Sequence, residues 1–178
     1  MIEIEKKYRL TAAQRDEVVR RLRDVGAEFR GEEFEENTIY GGGVLNSPDL
    51  VLRLRRVGGK ALLTYKERFP GTSAIRHQRE EETEIADPEA MDAIIGLLGF
   101  TRTLVYEKTR QTWVCGQTEV VIDELSFGLF MEIEGEEDAI NAVERQLGIE
   151  GFTAEHLSYP ELTAKNGKRN GELIEARF

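Results

Sequence analysis

An extended segment with a charged residue at every second position must turn that face either to water or to a polar interior. Residues 2–9 meet this choice at once. Glu3, Glu5, Lys7 and Arg9 share one face, and Ile2, Ile4 and Tyr8 share the other. The pattern recurs along the chain. Arg53 and Arg55 stand together with Leu52 and Leu54 opposite, and Thr64 and Lys66 share a face, as do Lys108 and Arg110. Glu132 and Glu134 alternate with Met131 and Ile133, and Asp123 points away from Val120, Ile122 and Glu124.

Turn and cap residues separate these runs. Thr11 reads as an N-cap and Gly26 as a stop for a helix carrying Val18, Val19, Leu22 and Val25 at helical spacing. After a polar, acid-rich stretch, Asn37–Tyr40 reads as a short strand ended by Gly41-Gly42-Gly43. Residues 49–57 and 60–68 flank Gly58-Gly59, a strong hairpin signal. The glutamate-rich segment 76–85 reads as a strand, and Pro88 opens a second helix that ends near Gly99. Residues 103–125 hold further strands with a turn at Gly116-Gln117, residues 129–134 one more, and 136–147 a third amphipathic helix. About eight strands and three helices, with many hairpins, predict an α+β fold built on an antiparallel sheet long enough to close into a barrel. One domain over 1–178 is expected, with a mobile tail from about residue 165.

A net charge of −10 argues against a nucleic-acid binder with a broad basic surface, but leaves open a local cation cluster for a small polyanion. The single cysteine, Cys115, excludes an internal disulfide and a cysteine zinc cluster. No apolar run approaches a membrane span, and nothing resembles a signal peptide, so a cytoplasmic protein without membrane contacts is expected.

Two readings of the alternation compete. In one, the charged face is solvated and Glu–Arg pairs across strands stabilise the sheet modestly. In the other, the sheet closes with its charges inward. Guanidinium and ammonium groups then suit polyphosphate oxygens. Carboxylates two apart on a strand, about 7 Å from each other, suit a hard divalent ion. Strand by strand the solvated face is the simpler reading, but it explains less well why several strands carry charges of one sign with few Ser, Thr or Gln between them.

At these residues the chain resembles the CYTH superfamily, the triphosphate tunnel metalloenzymes, which includes class IV adenylyl cyclases and thiamine triphosphatases. The resemblance begins with Glu3-x-Glu5-x-Lys7. It continues through Leu52-Arg53-Leu54-Arg55, Leu63-Thr64-Tyr65-Lys66, Glu80/Glu82/Glu84, Lys108-Thr109-Arg110, Ile122-Asp123-Glu124-Leu125 and Met131-Glu132-Ile133-Glu134, with Ser158–Leu162 a further similarity. It implies an eight-stranded antiparallel β-tunnel with flanking helices, holding a triphosphate and Mg²⁺ or Mn²⁺. Carried across, Lys7, Arg53, Arg55, Lys66, Arg76, Lys108 and Arg110 would bind phosphates. Glu3, Glu5, Glu82, Asp123, Glu132 and Glu134 would serve the metal, directly or through water. Glu5, Lys7, Arg55 and Lys66 would carry the chemistry.

Two places depart from the family pattern. Its Arg two residues before Glu-x-Glu is replaced by the same-face series Arg76, Gln78, Glu80, Glu82, Glu84, with Arg79 opposite unless a bulge turns it inward. Gly41–Gly43 stands where relatives often continue Tyr-Phe-Asp-Thr. Proteins of this kind are often homodimers, though no stretch identifies an interface.

His77 and His156 lack metal-ligand spacing, and Cys115, Trp113 and Phe127 read as packing residues. Tyr40 and Tyr159 are candidates to approach the site. Three functions follow: metal-dependent hydrolysis of inorganic, nucleoside or thiamine triphosphate; cyclisation of ATP to cyclic AMP and pyrophosphate; and a non-catalytic polyphosphate or nucleotide sensor.

Overall fold

The computed structural model describes residues 1–71 and 73–178. In chain order the elements are β1 (Ile2–Leu10), α1 (Ala12–Asp24), β2 (Glu28–Gly41), β3 (Leu50–Val57), β4 (Lys60–Arg68), β5 (Ile75–Ile85) and α2 (Pro88–Leu97). There follow β6 (Thr101–Cys115), β7 (Thr118–Leu125), β8 (Gly128–Glu134), α3 (Glu137–Leu147), α4 (Tyr159–Asn166), β9 (Lys168–Asn170) and β10 (Leu173–Ala176).

Local chemistry sets the helix ends. The Gln14 amide donates to Thr11 Oγ1 at 3.2 Å and the Thr11 amide to the Gln14 side chain at 2.8 Å, a capping box. Asp87 caps α2 through the Ala90 amide at 2.9 Å, with Pro88 in the first turn. Between β3 and β4, Gly58 and Gly59 have φ of 56° and 78°, the left-handed values that a two-residue hairpin turn requires.

The strands follow the order β2-β3-β4-β5-β1-β8-β7-β6, and β2 pairs with β6 to close an eight-stranded antiparallel barrel. The closing seam is the longest, running from Glu28 opposite Val114 to Gly41 opposite Thr101. This corrects the reading of a short strand at 37–40. The polar stretch before it lacks an apolar stripe and is held extended by backbone pairing to β6, with an irregularity at Gly31 (φ 143°).

The C-terminal stretch also differs from expectation. The residues read as a mobile tail form the last turn of α4 and the β9–β10 hairpin. That hairpin joins β6 in parallel, with Ile174 opposite Leu104.

The barrel is inverted relative to an ordinary core. Its outer face is largely apolar and is covered by helices. Tyr8, Trp113, Val120, Met131 and Ile133 pack with α1 residues Val18 and Leu22 and α3 residues Ile140, Val143 and Leu147. Leu54 and Ala61 pack with Ile95 of α2. Tyr106, Leu125 and Phe130 lie instead on the inner face, two residues from Lys108, Asp123 and Glu132, and pack there with Tyr159 and Leu162 of α4. Burying each large apolar side chain contributes about 1.5–3 kcal/mol. The charged face turns inward: Lys7 is 2% exposed, Lys108 1%, Asp123 0% and Glu132 5%, which excludes the solvated-sheet reading.

Candidate active site

Antiparallel register decides which inward charges meet. On β1, Glu5 faces Arg76 of β5 on one side and Glu134 of β8 on the other, while Lys7 faces Glu132. Lys66 of β4 faces Glu80 of β5, Asn37 of β2 faces Arg55 of β3, and Arg110 of β6 faces Asp123 of β7. These pairings ring a cavity of about 230 Å³ whose wall is mostly charged.

One side is cationic. Arg110 grips Asp123 through Nε–Oδ1 at 2.7 Å and Nη2–Oδ2 at 2.6 Å, and it reaches Glu132 at 2.7 Å. Lys108 Nζ lies 3.2 Å from Asp123 and 3.5 Å from Glu35, and Arg55 Nε lies 3.4 Å from Glu35. Lys7 Nζ lies 3.1 Å from Glu132, and Arg53 donates to Thr64 at 3.2 Å. Among the described residues, the buried Nε atoms of Arg53, Arg55 and Arg76 and Nη2 of Arg76 have no hydrogen-bond partner. Arg76 Nη2 is 3.0 Å from Glu5 Oε1 without hydrogen-bond alignment. Buried donors normally find acceptors, so these groups are suited to an incoming anion.

The other side is anionic. Carboxylate oxygens of Glu3, Glu5 and Glu134 all lie within 4.8 Å of one another. Lys66 bridges Glu3 at 2.8 Å and Glu80 at 2.7 Å, and Gln78 donates to Glu3 at 2.8 Å.

Over residues 1–159 the chain matches the CYTH domain family. The chain belongs to the CYTH family. A Methanocaldococcus jannaschii protein named "Putative adenylate cyclase MJ0240" is 33% identical over 152 residues, 83% of this chain and 84% of the relative. The solved structure of PH1012 from Pyrococcus horikoshii superposes with a TM-score of 0.77 at 28% identity, covering 90% of this chain and 98% of that one. The structure described as "Putative adenylyl cyclase HpAC1 from Hippeastrum", with a dominant triphosphatase activity, superposes with a TM-score of 0.69 at 18% identity, covering 96% and 98%. At that identity the likeness concerns the fold alone.

Electrostatics differ across this CYTH cavity. Burial pushes the Glu134 carboxyl up to about 8, opposed by Arg110 and reinforced by Glu132, Glu3 and Glu5. Burial likewise raises Glu3, with a hydrogen bond to Glu80 adding to the effect. Burial also works against ionisation of Glu132, but Lys7 and Arg110 outweigh it and hold that carboxyl well below the usual range. Glu35 is similarly held down: Lys108, Arg110 and Arg55 outweigh its burial. Burial lowers the Lys108 ammonium to about 8, with Arg110 adding to the shift.

All seven phosphate candidates (Lys7, Arg53, Arg55, Lys66, Arg76, Lys108 and Arg110) line the cavity. Arg76, not Arg79, lies inside; Arg79 is exposed and pairs with Glu81 at 3.2 Å. The metal candidates divide. Glu3, Glu5 and Glu134 form the triad, and carboxyl oxygens are the donor type that hard ions such as Mg²⁺ or Mn²⁺ prefer. Glu82 lines the cavity but accepts from Thr64 at 2.7 Å, and Glu132 is engaged by Lys7 and Arg110. Asp123 lies outside the triad, its oxygens taken by Arg110, Lys108 and the Tyr159 hydroxyl.

Sequence reasoning missed Glu35, buried among three cations, and Tyr106 in the wall. The alternation Glu35-x-Asn37-x-Ile39 was the available signal. Tyr40 lies away from the cavity, donating to Asp92 at 2.7 Å. Cys115 and Trp113 are buried in the core, Phe127 packs against the α4 cluster, and His77 pairs with Glu137 at the surface. No helix among the described residues is long and apolar enough to cross a membrane.

Proposed function

We propose that this CYTH protein is a divalent-cation-dependent triphosphatase whose preferred substrate is inorganic triphosphate. The observation that carries this reading is a cavity inside the barrel in which buried guanidinium nitrogens of Arg53, Arg55 and Arg76 without hydrogen-bond partners stand beside a carboxylate triad. Phosphoryl transfer is catalysed chiefly by positioning and charge stabilisation, and this wall has groups for both. Arg53, Arg55, Arg76, Lys108 and Arg110 bind and orient phosphate oxygens, and Lys7 neutralises charge next to the triad. Lys66 holds Glu3 in place, and Glu3, Glu5 and Glu134 would hold the cation. A divalent ion there would screen phosphate charge and activate the attacking water.

Size and lining favour the inorganic substrate. The cavity of about 230 Å³ is below the roughly 300–1,000 Å³ usual for drug-sized ligands. Its apolar wall is confined to Val51, Tyr106, Tyr159 and Pro160, which is little surface for a nucleobase. Adenylyl cyclase activity is the second reading, supported by the name of the M. jannaschii relative at 33% identity.

Chromatography of products after incubation with inorganic triphosphate or ATP, with Mg²⁺ or Mn²⁺, tests both. Orthophosphate and pyrophosphate from triphosphate are expected. Cyclic AMP from ATP would establish the cyclase instead, and no turnover of any triphosphate would refute both.

A further inference from the structure

We infer that Tyr159 is a positioning residue that fixes the two lysines of the phosphate cavity, so that the C-terminal segment completes the site. The inference rests on the triphosphate reading above. Tyr159 opens α4, where Ser158 and Glu161 form a capping box and Pro160 follows in the first turn. Its ring is set edge-on to Phe130, with centroids 5.5 Å apart, and tilted against Tyr106 at 6.1 Å. Lys7 Nζ lies 3.9 Å from the ring centroid and Lys108 Nζ 5.1 Å from it. The hydroxyl donates to Asp123 Oδ2 at 2.6 Å, the same oxygen that pairs with Lys108 and Arg110.

A buried tyrosine is ordinarily a packing residue that finds one acceptor. Here one side chain touches two ammonium groups and the carboxylate that orders a third cation. Lysine is a point charge on a flexible stem and gains direction only from what surrounds it. For Lys7 the surroundings are Glu132, the Leu157 carbonyl at 3.3 Å and this ring, so two of three come from residues 157–159. A desolvated cation over an aromatic face is strongly held, and replacing the face by an aliphatic group frees the amine to turn away.

The test compares Tyr159→Phe, Tyr159→Leu and a chain with pentafluorophenylalanine at 159, whose ring keeps its shape but loses its attraction for cations. Inorganic triphosphate binding is measured calorimetrically with EDTA present, Mn²⁺ binding alone by paramagnetic resonance, and turnover with both. Tyr159→Phe keeps the ring and should stay within about fivefold of wild type in triphosphate affinity. Tyr159→Leu and the fluorinated chain should bind triphosphate about 30-fold more weakly, with kcat/KM lowered by at least as much. Mn²⁺ affinity should not change, because Tyr159 contacts none of the triad residues. If Tyr159→Leu prevents folding, the fluorinated ring decides by itself. Affinity equal to that of Tyr159→Phe in the fluorinated chain overturns the inference, as does a parallel loss of Mn²⁺ affinity. If wild type binds no triphosphate, the functional reading fails and this inference with it; if wild type binds and the fluorinated chain binds equally, only this inference fails.

Discussion

Neutralising Glu132 and neutralising Glu134 should move the stability of the metal-free protein in opposite directions, although both residues sit on β8 and both face the cavity. Glu132 lies between Lys7 at 3.1 Å and Arg110 at 2.7 Å. Glu132→Gln leaves two buried cations short of a counter-charge, a change that costs about 3–5 kcal/mol when one partner of a buried pair is lost. Glu5 and Asp123 nearby moderate it, so about 3 kcal/mol is the working figure. At about 2–4 °C per kcal/mol for a chain of this size, melting should fall by about 6–12 °C at pH 7.5. Because the folded state holds Glu132 below its ordinary 4.5, this stabilisation is present above pH 4.5. It is lost as pH falls below that value, and the gap between wild type and Glu132→Gln should close there.

Glu134 behaves oppositely. Its carboxyl is raised from 4.5 to about 8, so the folded state keeps a proton that the unfolded chain releases. Wild type therefore loses stability as pH rises from 4.5 through 8, whereas Glu134→Gln has no such dependence. The melting difference in favour of Glu134→Gln should grow across that window and level off above it. Circular dichroism melts from pH 2.5 to 9, without divalent metal, measure both effects. A Glu132→Gln protein melting within about 2 °C of wild type at pH 7.5, where about 6 °C or more is expected, would refute the assignment of Glu132 as an anchor for cations.

Other outcomes follow from the same geometry. Arg55→Ala should weaken triphosphate binding about 10- to 100-fold by calorimetry, because charge-assisted hydrogen bonds to its guanidinium are lost, with little change in melting. Arg76→Ala should lose turnover while Arg79→Ala, altered outside the barrel, stays within twofold of wild type in the same phosphate-release assay, about the effect of an exposed ion pair. Chelation with EDTA should abolish turnover and added Mn²⁺ restore it, and Glu5→Gln should remain inactive at any Mn²⁺ concentration. Mn²⁺ affinity by calorimetry should rise with pH up to about 8 as the Glu134 proton leaves, then level off; a flat profile would remove Glu134 from the triad.

Much of the site was legible before the fold. Glu3, Glu5, Lys7, Arg53, Arg55, Lys66, Lys108, Arg110, Glu132 and Glu134 all sit on strands recognisable by alternation, and all reach the cavity. What escaped lay where alternation is weak or where partners are remote. Glu35 stands in an acid-rich stretch where the alternation Glu35-x-Asn37-x-Ile39 is a weak signal, and pairing with β6 shows that it faces inward. Asp123 reads as a metal ligand when its neighbours are unknown, but Arg110 lies directly across the ladder and takes both of its oxygens. Tyr159 has no pattern to place it, because its position depends on how α4 docks on the barrel.

The sequence by itself determined which residues share a face. Strand geometry repeats every two residues, and that is a property of neighbours along the chain. It also determined the turns at Gly58-Gly59 and Gly116-Gln117, since few residues but glycine tolerate the positive φ at 58, 59 and 116. Only the tertiary structure decided that the charged face closes inward, that Arg76 enters while Arg79 stays out, and that the inward acids divide between cations and a triad. Those outcomes depend on register between strands far apart in the chain, on the β2–β6 seam, and on apolar helices that make burying the opposite face favourable.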